Sequence, residues 1–521
     1  MMKRYFILLI MVFGLIRVSA QSTITYTVDN DFDTGQKFRS GGSVSDIVPL
    51  EDGGYFAAGS FQTMFTNPDS PFPYGGGMIT ASGGVHPDWE DGTVIAAIRE
   101  LHDYQGGYIF SGEFGQAIVK MTYTGISWYA THGEYWADYF RPSNAAYTNP
   151  YNVAWGWDVY IQEDEKVLIA GAIATDTLQP NVYRHLTRVL PDGTHDESFP
   201  IIEATPVNPN SHISKIEKSS DGSWYVSGRF EGINGHYSPH IVKLSDDFEV
   251  DTEFVSPFIF ESLNFSRHTE LKFIDSQDRL WFGGTEIKLQ SDPDEIFHLV
   301  RLLPNGEIDP DFTIGKINSD DWNFGFFQPP IVMRVFETEN NDFFVLGSFS
   351  QYNDTSQFCI TALDDNGSIQ SNYFMGSGTD ANSFNPDDET AINRPFLSEV
   401  IQVEDGSLLI GGAFSNFMGV EKYGVVKLNQ GTVSTEDRAR PDGSFKLYPN
   451  PAKDQITLEL SNPRQLQVQS VVISDLSGRR VANYPLGNGR MDVSALASGM
   501  YLLHLVGNGG SIAATQRLVI K

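Results

Sequence analysis

An all-β chain in two parts is predicted from three features of the sequence. A mostly apolar run ending in glycine recurs seven times between residues 50 and 415. Turn-forming Asp-Gly, Asn-Gly and Pro-Asp-Gly clusters separate the apolar runs throughout. The composition then changes after residue 444, where Pro-Asn-Pro and Ser-Gly punctuate a new set of short strands. The fold class that follows is a seven-bladed β-propeller over 21–431, a linker over 432–444, and a small Ig-like β-sandwich over 445–521.

A leader comes first. Residues 1–20, MMKRYFILLIMVFGLIRVSA, join Lys3 and Arg4 to an apolar core over 6–16 and small residues at Val18 and Ala20. This pattern predicts a secretory signal peptide cleaved between Ala20 and Gln21. The apolar run is shorter than the roughly 20 residues that span a bilayer. No transmembrane segment is expected in the mature chain, and its expected place is secreted or on the outer cell surface.

Charge is distributed unevenly. The chain carries −31 in total, and −34 once Lys3, Arg4 and Arg17 are removed with the leader. Residues 445–521 hold eight Lys/Arg against four Asp/Glu, a net +4, and 432–444 carry −1, which leaves −37 on the body 21–431. Such a surface repels phosphate backbones and no basic aromatic groove offsets it, so nucleic acid is not expected as a partner. The single cysteine, Cys359, lies in the strand-like run QFCITAL and allows no intrachain disulfide. With no activating base suggested nearby, it reads as a small buried apolar residue.

Within the body the unit starts at a turn, runs through four mostly apolar residues to a glycine, and often ends x-Phe, as in EDGGYFAAGSF and SDGSWYVSGRF. The glycines are Gly59, Gly112, Gly171, Gly228, Gly284, Gly347 and Gly412, at intervals of 53, 59, 57, 56, 63 and 65 residues. Each unit reads as four antiparallel strands. An alternating run such as SKIEKS precedes the turn and the apolar run returns from it. A third strand such as HIVKLS follows a loop of variable length, and a short fourth ends in Asp-x-x-Phe. One such sheet has two apolar faces and cannot stand alone. Seven of similar length bury those faces on their neighbours around a central channel, whereas solenoid rungs are usually shorter than roughly 30 residues. The glycine is expected to permit a bulge or close approach, and the Phe to fill the space between blades.

The segment 25–32 opens the body with a phrase that closes other units. Residues 27–32 overlay 307–312 position for position, while unit seven ends at GVVKLNQG without its own Asp-x-x-Phe strand. This N-terminal strand is therefore expected to complete the seventh blade by pairing with 424–429, which would remove two exposed sheet edges.

Residues 213–254, containing SSDGSWYVSGRF, INGHYSPHIVKLS and VDTEF, resemble the delta-60 repeat family, whose units are read as propeller blades of bacterial surface proteins. The resemblance covers about 28–431. It departs in unit two, which lacks Asp-x-x-Phe, and in unit five, where Glu286 replaces the second-strand Phe. It implies a binding or scaffolding platform and carries over no catalytic residues.

Residues 445–521 read as six or seven short strands. Pro449 and Pro451 are expected to fix an extended lead-in to the first strand, Gly478 to permit a turn with positive φ, and Gly499 to break the chain before an apolar edge strand. The set resembles the type A C-terminal sorting domain of the type IX secretion system of Bacteroidetes-type bacteria. The matching positions are Tyr448, Pro449, Asn450, Pro451 and Ala452; Asp475, Ser477 and Gly478; Asp492, Leu496, Gly499 and Tyr501; and residues 518–521. The resemblance implies the type IX secretion machinery as a partner, passage through the outer membrane, and frequent removal of the domain on release or attachment.

No Ser-His-Asp order, metal-type histidine pair, phosphate-cradling loop or paired-cysteine motif stands out, so no catalytic residue and no cofactor is assigned. The Asp-rich loops 66–77, 290–296 and 385–390 make Ca²⁺ a candidate, but none alternates acids toward a closing Glu, and no metal site is assigned. Residues 127–160 hold four of the eight tryptophans. Trp128, Trp136, Tyr139, Trp155 and Trp157 are candidate ligand-binding residues, because flat aromatic faces interleaved with Asp, Glu and Asn suit sugar rings. The competing expectation is that these rings pack a long insertion onto the propeller. The expected function is an exported binding or scaffold module for an extracellular glycan or protein ligand. The alternative is an extracellular polysaccharide hydrolase or lyase with acids from several blades at the channel mouth.

Overall fold

The computed structural model describes residues 23–35, 38, 43–61, 74–87, 98–112, 118–122, 155–174, 183–206, 211–260, 269–319, 330–370, 373–374, 378–379, 395–433, 445–460, 470–474, 480–485, 489–497, 499–506 and 512–521. The leader with Ala20 and Gln21, residues 434–444 of the linker, Trp128, Trp136, Tyr139, Asp475, Ser477, Gly478 and the loop 385–390 lie outside the described residues. No helix occurs among the described residues, and the chain divides into two compact units between Thr432 and Val433.

Up to Thr432 the repeats build seven antiparallel sheets of one plan among the described residues. Their first strands are Ser43–Pro49, Ile98–Asp103, Trp155–Ile161, His212–Lys218, Thr269–Ile274, Ile331–Glu337 and Phe396–Gln402. Each pairs with a second strand that carries the repeat glycine, and the second pairs with a third. The Asp-Gly and Asn-rich pairs between first and second strands form three-residue loops. Leu50 N donates to Gly54 O and Gly53 N to Leu50 O, and the same two bonds close 219–223, 338–342 and 403–407. The third loop residue has positive φ in each, from Asn341 at 60° to Gly222 at 89°, as a type I turn followed by a left-handed residue requires.

The expected fourth strand is much reduced. Val85, His195, Val250, Ile308 and Ile369 each make a single bridge to the third strand of their sheet. The chain then turns, because the side chains of Asp196, Asp251 and Asp309 accept the amide two residues on at 3.0, 2.9 and 2.9 Å, an Asx-turn that ends extended backbone.

Among the described residues only the seventh sheet has a full fourth strand. Thr23–Val28 lies beside Val425–Val433. Asp29 N donates to Lys427 O at 2.9 Å, the bond that Asp196, Asp251 and Asp309 make at 2.9 Å to Arg188, Lys243 and Arg301 inside their own units. Asp29 Oδ1 accepts Asp31 N at 2.9 Å in the same Asx-turn. Phe32 is buried edge-on to Tyr55, and Lys422 Nζ donates to its carbonyl. The third strand of this sheet runs to Val433, two residues into the segment read as linker.

Apolar clusters lie between sheets. Phe56 and Ala58 of the first sheet pack on Leu101 and Phe110 of the second, whose Ile109 packs on Ile169 of the third. Leu168 and Ala170 meet Val226 of the fourth, and Tyr225 meets Phe282 of the fifth. Trp281 meets Val345 of the sixth, and Leu346 meets Ile410 of the seventh. Leu409 and Val425 then pack on Val44, Ile47 and Ala57 of the first sheet, so the succession returns to its starting point.

The C-terminal unit has two sheets, Phe445–Tyr448 with Gln455–Leu460 and Arg490–Asp492, and Arg480–Pro485 with Ser470–Ser474, Gly499–Val506 and Ile512–Ile520. They share a core of Leu447, Ile456, Leu458 and Met491 against Val471, Ile473, Leu503, Leu505 and Leu518. The Pro-Asn-Pro turn follows the first strand instead of leading into it. Asn450 Oδ1 accepts Val519 N at 2.9 Å and Ala452 N donates to Val519 O at 2.8 Å, which fixes the turn to the last strand. Gly499 opens a central strand with neighbours on both sides, because hydrogen bonding to Ile512–Ile520 moves the edge one strand outward. Tyr501 is buried and its hydroxyl donates to Ala497 O at 2.9 Å.

Candidate functional site

Each repeat glycine meets the first strand at the same point: Val44 pairs Gly59, Ile98 Gly112, Gly156 Gly171, Ile213 Gly228, Thr269 Gly284, Val332 Gly347 and Leu397 Gly412. The register slips by one residue directly after this pair in six sheets, and between Leu271 and Phe273 in the fifth. A Cβ on Gly59, Gly228, Gly347 or Gly412 would stand 2.0 to 2.2 Å from the carbonyl oxygen of Ser43, His212, Ile331 or Phe396. Only glycine admits this approach, and the bulge depends on it.

Opposite the residue that precedes each glycine stands a charged side chain: Asp46, Glu100, Asp158, Lys215, Glu270, Arg334 and Glu399. A bulge leaves a neighbouring backbone N–H without a ladder partner, and a buried orphan donor is costly. Leu101 N donates to Asp46 Oδ2 at 2.6 Å and Ile216 N to Asp158 Oδ2 at 2.7 Å, the acid in each case belonging to the preceding sheet. Ile47 N and Val400 N turn to the adjacent Asp46 Oδ1 and Glu399 Oε1, at 2.8 and 2.9 Å. Lys215 has no acceptor to offer, and there Leu271 N goes to Ser227 Oγ at 2.9 Å. Ser45 Oγ and Ser398 Oγ add bonds to Ile98 O and Val44 O at 2.7 and 2.5 Å. These bonds join the first strand of the first sheet to that of the second, the third to the fourth, and the seventh to the first.

Its charges lie close together. Lys215 Nζ lies 3.3 Å from Asp158 Oδ1, 3.5 Å from Glu217 Oε1 and 3.8 Å from Glu100 Oε1. Burial opposes the Lys215 ammonium, but the three carboxylates raise its pKa well above the usual lysine range. Burial pushes Asp158 up to about 7 against the pull of Lys215. Asp46 is held well above the usual carboxylate range by burial, then by Glu100 and Glu399, and Glu399 is raised by burial. Arg334 Nε stands 3.3 Å from Glu399, which with Glu100, Asp46 and Glu217 raises the guanidinium further. Arg334 of the sixth sheet thus feels the charge of Glu100 of the second and Glu217 of the fourth. Glu270 is paired to Lys272 at 2.6 Å. His102, two residues beyond Glu100 on the same face of its strand, is lowered by burial, and its Nε2 is buried without a hydrogen-bond partner.

Of the aromatic candidates, Trp155 and Trp157 lie on the first strand of the third sheet. The Arg99 guanidinium from the second sheet sits 3.9 Å over the Trp157 ring, and His212 from the fourth stacks on it at 4.4 Å and 9°. Residues of both flanking sheets thus pack on the indole. Several scattered histidines serve the backbone: Ala204 N donates to His185 Nδ1 at 2.9 Å, and His240 Nδ1 meets Gly228 O at 3.1 Å. Cys359 is fully buried, its thiol donating to Pro395 O at 3.3 Å and pushed up to about 12 by burial. Among the described residues no group of three His, Cys, Asp or Glu side chains is placed to hold a metal ion, and no helix is long and apolar enough to cross a membrane.

The ring residues were not singled out by sequence, although a signal exists: a charged residue stands 12 to 14 positions before every repeat glycine, inside an otherwise apolar strand.

Repeated sheets packed face to face in succession, with a separate C-terminal module, define an all-β protein of propeller-like construction. Residues 404–431 match a domain of unknown function (DUF5122) β-propeller, the delta-60 type, and residues 446–521 match the secretion system C-terminal sorting domain. The sorting domain points to secretion or cell-surface export through the type IX system. Among solved structures the chain is similar to PorZ, described as an essential bacterial surface component of the type-IX secretion system of Porphyromonas gingivalis, at 12% identity and a TM-score of 0.42, covering 92% of this chain and 59% of PorZ. It is also similar to an extracellular domain attributed to a hybrid two-component system of B. thetaiotaomicron, at 14% identity and a TM-score of 0.42, covering 96% of this chain and 59% of that one. The chain thus spans 59% of the length of each. No curated protein matches it.

Proposed function

We propose that the protein is an exported binding or scaffold module: a seven-bladed β-propeller closed by its N-terminal strand, followed by an Ig-like sorting domain and made with a leader that is cut between Ala20 and Gln21. Support for a closed ring comes from the return of inter-sheet packing to the first sheet and from the Asp29–Lys427 bond. Support for export comes from the match over 446–521.

The observation that carries binding over catalysis is the commitment of the ring acids. Asp158, at about 7, has the proton affinity a general acid needs. Yet its side chain is only 2% exposed, and its two oxygens are held by Ile216 N and Lys215 Nζ. Asp46 and Glu399 are bound to backbone amides in the same way. These three groups join sheets, so none of them is free to act as one of an acid pair.

The full-length protein, screened on a glycan array and in pull-downs with surface proteins while reducing-end release is followed, is expected to retain a ligand without turnover. Sustained release of reducing ends would overturn this function. Removal of 446–521 is expected to abolish appearance of the protein outside the cell.

A further inference from the structure

We propose that the ring is also a receptor for a protonated primary amine, seated in the sector formed by Glu100, His102 and Glu217 around Lys215. This rests on the binding function proposed above and names the chemistry of its ligand.

Glu100 and Glu217 come from the second and fourth sheets, yet both reach Lys215 Nζ, and each side chain keeps 29% of its surface open to solvent. One ammonium therefore faces two half-open carboxylates, the third neighbour, Asp158, being buried and already committed to Ile216 N and Lys215, and the remaining cation of the ring's core, Arg334, is already beside Glu399. The sector carries an excess of negative charge. It is also rich in acceptors, because carboxylates only accept and a neutral imidazole can offer Nε2 as a lone pair. His102 Nε2 is buried and has no partner, and the ring feels the charges of Glu100, Lys215 and Glu217.

A ligand that supplies N–H donors and positive charge together answers both deficits. A metal ion does not fit, since among the described residues no three His, Cys, Asp or Glu side chains stand close enough together for metal bonds. An anion would add to the excess charge, and a neutral sugar would leave it in place. An alkyl ammonium group fits, whether presented by an amino sugar or polyamine or by a lysine side chain.

Calorimetric titration of the full-length protein tests this with spermidine, a glucosamine trimer and a tetralysine peptide, each against its fully N-acetylated form. At least one amine is expected to bind, with acetylation and the variants Glu100→Gln and Glu217→Gln each lowering affinity about tenfold. Binding of the small amines assigns a free ligand, and binding of tetralysine alone assigns a basic protein segment. Equal binding of amine and acetylated probes, no binding of any amine at millimolar concentration, or glutamine variants that bind like the parent would overturn the inference. If either variant fails to fold, the acetylation contrast on the parent protein decides. Retention of a glycan or protein that is indifferent to amine acetylation would remove this inference and leave the binding function standing.

Discussion

Replacing Phe32 by alanine tests whether the segment before the first sheet belongs to the core of the last. Residues near a chain terminus ordinarily tolerate truncation of a side chain at a cost below about 0.5 kcal/mol. Phe32 is 1% exposed, packs edge-on against Tyr55 at 6.4 Å and lies in the cluster that joins the seventh sheet to the first. An interior Phe→Ala change costs about 3–5 kcal/mol, and that is the expected loss. Phe312, which holds the same place in the fifth unit and packs on Trp281 at 4.8 Å, provides the reference. The midpoint of guanidinium denaturation, read with its slope, should fall by a similar amount for Phe32→Ala and Phe312→Ala. A Phe32→Ala cost below about 1 kcal/mol beside a full cost for Phe312→Ala would show that the N-terminal strand is not part of the folded body.

Gly347→Ala forces a Cβ to 2.0 Å from Ile331 O and is expected to cost about 1–3 kcal/mol or more, whereas Gly419→Ala, with open space around it, carries only the backbone strain of its φ of 78°. Equal shifts in thermal unfolding would refute the bulge argument. Burial raises Asp158, so the native state keeps a proton that the unfolded chain gives up in the ordinary aspartate range. Stability from this group therefore falls as pH rises from about 4 to about 7. Asp158→Asn is expected to flatten that fall, and parallel stability-against-pH curves would contradict it. Trp157→Ala is expected to lose about 3 kcal/mol of stability with ligand retention unchanged; lost retention in a stable variant would restore the indole as a contact. Arg301→Ala leaves the buried Asp309 without its 2.7 Å partner and is expected to cost about 3–5 kcal/mol by denaturant titration.

The repeat was legible because each sheet must bury both faces, which imposes the same apolar run and the same glycine seven times over. The role of that glycine could be narrowed only to a bulge or a close approach, since the neighbouring carbonyl that excludes a Cβ belongs to another strand. The fourth strand was overestimated because Asp-x-x-Phe resembles a strand ending, while the Asp side chain captures the amide two residues on and turns the chain. Pairing of the N-terminal segment with the last sheet was expected over 25–32 from the phrase Thr-Val-Asp-Asn-Asp-Phe; the strand itself is Thr23–Val28, and the phrase marks the Asx-turn that ends it. The charged ring escaped notice: an isolated Asp or Lys in a strand looks like a solvated residue until the register slip aims it at the next sheet. The neighbours of Trp157 were illegible for a related reason, since an aromatic composition says nothing about which residues of the adjoining sheets pack on the ring.

The bond between Asp29 and Lys427 acts as a clasp, and a clasp has consequences in time. The strand that completes the seventh sheet is made early and its partner late, with Thr25 Oγ1 and Gly431 O meeting across 406 residues. Bringing such distant segments together adds only slowly to the entropic cost as the intervening chain lengthens, but contacts of long sequence separation form slowly. Six sheets can therefore stack while the band is still open, with the free edge of Val425–Val433 available to any passing strand. Until Thr23–Val28 pairs with it, that edge is where mispairing with another strand is expected.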